Sequence, residues 1–247
     1  VEGGKSIRGG NICVTSSAVL TVDGDAQLNV TTPMAGVAWL GANLFMRDTN
    51  VTLTGGTFSG AASYTDTDVD LGGNIYVRNK TLTLDGATVT GGNDSSIGKG
   101  GGAFYVSGEN SVLTINGVDI SGNNGHMGGA IYAENHAKVY LQRGNISNNT
   151  ATNDGGAVYI NGANLYMSGG SIANNSAGYK GGAVCMYSGT IEISGGDIAS
   201  NRATNEHGGA IYTTYSGSAA ADRVIAEVNM TGGVFEKNSA MAGGAVS

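Results

Sequence analysis

The sequence is poor in charge and has little of one sign. Charged residues make up 13% of the 247 residues, roughly half of the 25% that is usual in soluble proteins. The 12 Lys and Arg residues are scattered singly, and the net charge is −7. Nucleic-acid-binding proteins carry clustered basic residues. We therefore expect no nucleic acid among the partners.

Long hydrophobic runs are also missing. The longest apolar stretch, near residues 35–44, is interrupted by glycine and is too short to span a bilayer. We expect no membrane insertion by this segment. No stretch sustains an apolar stripe of period 3.6, which excludes helical solenoids. The chain begins at Val1 rather than Met, which indicates a processed or excised segment.

The chain has only two cysteines and one proline. Cys13 and Cys185 occupy the same position of a repeat, six coils apart, which corresponds to about 29 Å at the spacing of paired strands. A disulfide needs Cα atoms within roughly 7 Å. We predict two free thiols, or thiols used between molecules.

Glycine, by contrast, is abundant, with 44 residues. Gly-Gly pairs recur ahead of Ala or Asn and an apolar residue. The Ala or Asn of successive copies is separated by 32, 31, 29, 27, 27, 26, 27 and 35 residues. Such a period is typical of solenoids. The copies have their Ala or Asn at Asn11, Asn43, Asn74, Ala103, Ala130, Ala157, Ala183, Ala210 and Ala245.

A second motif, apolar-x-apolar-x-Gly-x-x-apolar-x-x-Asn, lies between the glycine pairs, as in residues 113–123. Alternation with period two predicts short strands with one buried face, and Gly and Asn favour corners. Three strands in ~27 residues make one coil of a parallel β-helix. We predict an all-β fold, a single-stranded right-handed parallel β-helix (solenoid) of about eight coils, as one domain over residues 1–247. The chirality of parallel connections favours the right-handed form.

Alternation also separates core from surface. The apolar residue after each Ala or Asn anchor and the residue two positions later should face the core, and the residue between them should point outward. We predict that these outward residues form an external ladder whose aromatic rings suit a sugar or a protein partner. The alternative is that the rings only stabilise neighbouring strands, or that a loop covers them. The ladder tyrosines are Tyr76, Tyr105, Tyr132, Tyr159 and Tyr212.

A second ladder consists of the asparagines that close the longer motif. Stacked side-chain amides hydrogen-bond from coil to coil, and Asn tolerates a left-handed backbone. We predict a structural role for Asn123, Asn149, Asn175, Asn201 and Asn238.

Three alternating carboxylates, Asp66, Asp68 and Asp70, resemble the first half of a calcium loop. Leu71 stands where the helix-loop-helix motif needs Gly, and Val77 stands where it needs Glu. We predict a solvated acidic loop and no cofactor, with Ca²⁺ as the alternative.

The other acidic residues and the three histidines are scattered, so we predict no enzyme. In the apolar-x-apolar motif, the residues that alternate with the apolar ones should point outward. Their types differ from coil to coil, which excludes the regular Thr array of an ice-binding surface. The outward pairs include Thr114/Asn116, Tyr140/Gln142, Tyr166/Ser168 and Glu192/Ser194. Loops 61–70 and 215–227 are further candidates for specificity.

Gly-Gly-Ala followed by Ile, Val or Phe, with a later apolar-x-x-Asn, resembles the repeats of chlamydial polymorphic outer-membrane proteins. The strict Phe-x-x-Asn form occurs at Phe235 to Asn238, and Ile replaces Phe in four other copies. Members of that family are autotransported adhesins. The resemblance implies an extracellular or cell-surface rod that contacts a host-cell or bacterial protein or glycan.

Three functions follow. The first is a non-enzymatic, adhesin-like passenger, expected as a piece of a longer protein. The second is a structural subunit that associates end to end into a filament, and the third is a polysaccharide-degrading β-helix enzyme. Ligand contacts on a side face would favour the adhesin, contacts through the end coils would favour the filament, and a groove lined by carboxylates would favour the enzyme.

Overall fold

The chain is described by a computed structural model that covers residues 11–16, 18, 20–29, 40–60, 72–94, 98–214 and 226–247. These residues form 24 strands and no helix. All strand pairings between coils are parallel, as in Ile131↔Val158 and Val139↔Leu165. The predicted all-β parallel solenoid is confirmed, and its handedness stays a prediction.

Each coil contributes strands to three long faces. The first face follows the glycine pairs, the second contains the apolar-x-apolar run, and the third leads to the Asn ladder. Four strands turn a corner between faces: β2 (Leu20–Asn29) and β4 (Val51–Ser59) continue from the second face into the third, and β16 (Val158–Met167) and β19 (Val184–Ile193) continue from the first into the second. The strands of the first face include β1 (Ile12–Thr15), β3 (Leu44–Arg47), β5 (Ile75–Arg78), β8 (Phe104–Ser107), β12 (Ile131–Glu134), β16 (Val158–Met167), β19 (Val184–Ile193) and β22 (Ile211–Thr213).

The second and third faces are built from the strands that follow in each coil. The second face comprises β2 (Leu20–Asn29), β4 (Val51–Ser59), β6 (Thr81–Asp85), β9 (Val112–Asn116), β13 (Lys138–Leu141) and β23 (Ala226–Met230), with the ends of β16 and β19. The third comprises β7 (Thr88–Thr90), β10 (Val118–Ser121), β14 (Gly144–Ser147), β17 (Ser171–Ala173), β20 (Asp197–Ala199) and β24 (Val234–Glu236). A small four-stranded sheet consists of β11 (Asn124–Gly125), β15 (Thr150–Ala151), β18 (Ser176–Ala177) and β21 (Arg202–Ala203).

The stack makes about six turns, slightly fewer than the eight coils predicted. On the first face these turns run from Leu44 to Ile211. One further parallel pairing lies beyond each end, Ile12 with Leu44 and Ile211 with Val246. The predicted register of core residues is confirmed: Ile75, Phe104, Ile131 and Val158 pair in order and are fully buried.

Two separate requirements explain the glycine pairs. The first glycine has a left-handed backbone, with φ of 69° at Gly155, which favours glycine. The second glycine faces the next coil at close range: a Cβ on Gly156 would lie 2.1 Å from the carbonyl oxygen of Gly182. Neither position accommodates a larger residue without a shift of the backbone.

Candidate functional site

The tyrosine ladder exists, but it is buried. Adjacent rings of Tyr76, Tyr105, Tyr132 and Tyr159 stack with centroids 5.3–5.4 Å apart, and Phe45 extends the stack at 5.0 Å. The predicted stacking is confirmed. The prediction of an external face is wrong for these four tyrosines, whose exposed fractions are only 1–5%.

At two corners, the residue ahead of the first glycine packs against the rings and contributes to their burial. The left-handed turn at Gly128 folds the chain back toward the strand, and Met127 packs against the ring ladder. Leu40 packs against it in the same way ahead of Gly41. The rings therefore form a second buried cluster, separate from the main core. This agrees with the alternative stated for the tyrosine ladder, in which a loop covers the rings.

Tyr212 lies at one end of this ladder and remains half-buried. The Lys180 Nζ lies 5.2 Å from its ring centroid, and the His207 ring lies 6.3 Å away. Cys185 fills the ladder position between Tyr159 and Tyr212 and is fully buried. Of the five tyrosines predicted to bind a ligand, only Tyr212 keeps an accessible edge.

A buried carboxylate, Glu134, lies beside the same ladder. Its oxygens accept hydrogen bonds from the hydroxyls of Tyr105 and Tyr132 and from the Asn135 amide, and the Lys99 ammonium lies 3.0 Å away. Burial, together with the Glu134 charge, raises the pKa of both tyrosines well above the usual value. These interactions hold the middle of the ladder in place and engage the hydroxyls of Tyr105 and Tyr132.

Both cysteines are free, as predicted. Burial raises the pKa of the Cys185 thiol, which has no access to solvent. Cys13 is exposed, so only Cys13 is placed to contact another molecule.

The predicted asparagine ladder is confirmed. The side-chain Nδ2 of Asn123, Asn149 and Asn175 each donates to the Oδ1 of the next asparagine at 2.9–3.0 Å, and the backbone N–H of each donates to the same oxygen. The series continues through Asn201 to Asn238. The left-handed backbone belongs instead to residues before the ladder, such as Asn148 and Asn174.

A further amide ladder was not recognised from the sequence. Asn11 donates to Asn43 at 2.7 Å, and Asn43 donates to Asn74 at 2.6 Å. The signal was present, because these three coils have Asn where later coils have Ala at the position after the glycine pair. Both amide ladders act within the structure.

The acidic candidates Asp66, Asp68 and Asp70 lie outside the described residues, as do loop 61–70 and most of loop 215–227. The solvated acidic loop, with Ca²⁺ binding as its alternative, stays a prediction. Among the residues that the structure does describe, no three His, Cys, Asp or Glu side chains gather into a group able to hold a metal ion.

The residues that the structure describes form a groove of about 420 Å³ on the second face. Two tyrosines form one wall: Tyr140 pairs with Tyr166 in adjacent coils, and their rings stack with centroids 4.7 Å apart and planes 13° from parallel. Both rings are half-buried, in contrast to the buried ladder of the first face. We name this site the second-face groove; it is lined by Tyr140, Gln142, Tyr166, Met167, Ser168, Glu192, Ile193, Ser194, Asn229 and Thr231.

Strand register brings the polar groups of the groove together. Tyr166 pairs with Glu192, and Glu192 pairs with Asn229 in the following coil. Gln142 and Ser194 are exposed and lie directly after the ends of β13 and β19. The two-ring stack therefore ends at Glu192, where a shorter, charged side chain takes the place of a third ring.

These residues were visible in the sequence as outward pairs, but only a Thr array was sought. A Tyr at the same repeat position in two consecutive coils, followed by Glu, is the signal that would have identified the groove. Glu192 is the one charged residue in the lining that the structure describes. Glycoside hydrolysis generally uses two carboxyl groups, and the described lining supplies one.

A model of the Chlamydia polymorphic membrane protein repeat matches residues 144–161. No curated protein and no solved structure matches the chain. The matched residues run from β14 to the start of β16 and include Asn149 of the amide ladder and the pair Gly155-Gly156. The chain is thus a β-helix whose repeats resemble those of chlamydial polymorphic membrane proteins. The matched copy has Ile146 rather than Phe before its Asn, so this replacement does not prevent the match.

Proposed function

We propose that this chain is a non-enzymatic, adhesin-like rod at the surface of a bacterial cell, which attaches that cell to a partner through a side face. The observation that carries the proposal is the second-face groove next to the matched repeat: Tyr140 and Tyr166 flank residues 144–161. Repeats that resemble those of a membrane protein support a place at the cell surface.

The distribution of contacts supports a rod with a binding face. The core, the buried aromatic ladder and the amide ladders use their side chains for contacts between coils. The second face is different, because its polar side chains next to Tyr166 point to solvent. In solenoids such outward positions vary without disturbing the core.

The experiment measures attachment directly. Fluorescent beads coated with the folded segment are incubated with epithelial and bacterial cells, and bound beads are counted by flow cytometry. Beads coated with the same segment after denaturation and quenching serve as the control. Saturable binding by folded segment only supports the proposal, and equal binding by both forms contradicts it.

Treating the cells separates the partner classes. Loss of attachment after protease treatment identifies a protein partner, and loss after glycosidase treatment identifies a glycan. Negative-stain images over a concentration series test the filament alternative, which predicts uniform rods that lengthen with concentration. Long rods together with no cell attachment would replace the adhesin proposal with the filament.

A further inference from the structure

We propose that the second-face groove binds a neutral sugar residue of a glycan, which stacks on the free face of Tyr166 and hydrogen-bonds to Glu192 and Asn229. This inference rests on the proposed attachment function and names the ligand class of its site. A groove of about 420 Å³ is within the ~300–1,000 Å³ range of small-molecule sites.

The aromatic wall supplies the stacking surface. One face of the Tyr166 ring is covered by Tyr140, since the two planes are nearly parallel at 4.7 Å. The opposite face points toward the coil of Glu192, where the register would place a third ring. A pyranose ring would stack on the part of this face that the shorter Glu192 side chain leaves uncovered, with its apolar C–H face on the tyrosine and its hydroxyls directed toward Glu192 and outward.

The surrounding groups match sugar hydroxyls, which both donate and accept hydrogen bonds. Glu192 accepts through two carboxylate oxygens, and Asn229 and Gln142 each offer an amide donor and acceptor. Ser194 and Thr231 add hydroxyls at the rim. Hydrogen bonds to a charged acceptor are the stronger ones, so Glu192 is the main polar anchor.

The same groups disfavour charged ligands. The Glu192 carboxylate repels sialic acid and uronic acid residues, because no cation lies in the lining that the structure describes. A lysine or arginine side chain would satisfy Glu192, but it offers no acceptor to the amide groups of Gln142 and Asn229. The set therefore favours a neutral hydroxyl-rich ring over either charged class.

The test uses the folded segment on an array of neutral hexose oligosaccharides, their sialylated and uronate counterparts, and a lysine-rich peptide. Affinities for the best neutral glycan are measured by calorimetry. Tyr166→Ala should weaken binding by about tenfold or more, the loss expected when a stacking ring is removed. Tyr179→Ala is the matched control, since Tyr179 is an exposed tyrosine that does not line the groove.

Two variants at Glu192 keep the test independent of folding defects. Glu192→Tyr continues the stack of Tyr140 and Tyr166, so it should fill the groove, abolish glycan binding and leave the circular dichroism spectrum and melting temperature intact. Glu192→Gln removes the charge but keeps an acceptor, and it should admit acidic glycans that the unmodified chain rejects.

Each outcome decides a separate statement. Equal binding of neutral and acidic glycans, preferred binding of the lysine-rich peptide, or unchanged glycan binding in Tyr166→Ala and Glu192→Tyr would overturn the neutral-sugar site. If cell attachment persists in both variants, the attachment function stands and the groove is not its site. If glycans bind as expected but no cell is attached, the groove stands and the proposed function falls.

Discussion

Replacing Asn175 by Ala should destabilise the solenoid severely, because this amide is in the middle of the ladder. Its Oδ1 accepts the Asn149 backbone N–H at 2.9 Å and the Asn149 Nδ2 at 3.0 Å, and its own Nδ2 donates to Asn201 at 2.9 Å. All three residues are buried, with exposed fractions of 0–1%. Alanine leaves the Asn149 backbone N–H and one N–H of its side-chain amide without an acceptor, while the other side-chain N–H still donates to the Ile120 carbonyl oxygen at 3.0 Å.

The magnitude follows from those two donors. A buried donor that loses its partner costs about 1–3 kcal/mol, so Asn175→Ala should lower the free energy of unfolding by about 2–6 kcal/mol. Asn238→Ala is the matched control: it also removes the acceptor of two donors, those of Asn201, but Asn238 is half-buried. Water can replace its oxygen, and the cost should be about 0.5–1.5 kcal/mol.

Urea unfolding followed by far-ultraviolet circular dichroism measures both costs. Hydrogen exchange detected by mass spectrometry gives a local measure, since the Asn149 amide should exchange much faster in Asn175→Ala. Repeat proteins can unfold in parts, and exchange reports on the affected coil alone. A cost for Asn175→Ala below about 1 kcal/mol, or equal to that of Asn238→Ala, would refute the argument that buried amide pairing stabilises the stack.

Three further predictions concern other parts of the fold. Gly156→Ala should prevent folding or lower the melting temperature strongly, because its Cβ would lie 2.1 Å from a backbone oxygen of the next coil. Gly117→Ala is the control, since Gly117 has a φ of 68° and open space around the position of a Cβ. In the same thermal melts this control should lose only about 1 kcal/mol of unfolding free energy. Burial raises the pKa of the Asp154 carboxyl group, so the folded chain binds the carboxyl proton more tightly than the unfolded chain does. The contribution of Asp154 to the free energy of unfolding therefore falls as the pH rises above 3.8, the pKa of this group in the unfolded chain. Asp154→Asn should therefore be more stable than the unmodified chain at pH 7, with the difference shrinking toward pH 3 in urea titrations, and an unchanged difference would contradict the burial argument. Tyr105 and Tyr132 should stay un-ionised until the chain unfolds at high pH, because their pKa values are raised. In an alkaline titration the absorbance at 295 nm should rise first for exposed tyrosines and then in a second step that coincides with loss of the circular dichroism signal. Ionisation of every tyrosine in a single step before unfolding would contradict the burial of Tyr105 and Tyr132.

Much of the fold follows from local patterns. Period-two alternation at Ile131 and Ala133 predicts inward side chains, and both are fully buried. The glycine pairs predict tight corners, and Gly155 and Gly156 show why: one needs a left-handed backbone and the other has no room for a Cβ. Such requirements act on single residues and their nearest coil neighbour, so a repeating sequence displays them directly.

The site was harder to predict, because exposure depends on segments distant from the strand. Tyr132 points away from the core as predicted, yet Met127 and the turn at Gly128 cover it. Nothing in the alternation distinguishes Tyr132 from Tyr166, since both are outward aromatics in β-strands. The difference is that a turn packs over the first face, whereas the residues that the structure describes leave the second-face groove open.

The residue order thus specified the repeat, the direction of each side chain and the pairing of equivalent residues, because these depend on spacing within one coil. The position of the groove depended on the assembled stack. Tyr140, Tyr166 and Glu192 follow one another at intervals of 26 residues and become neighbours only through parallel pairing of β13, β16 and β19. Which outward face stays open was decided by how the turns pack across those strands, since burial is a property of the packed coils together.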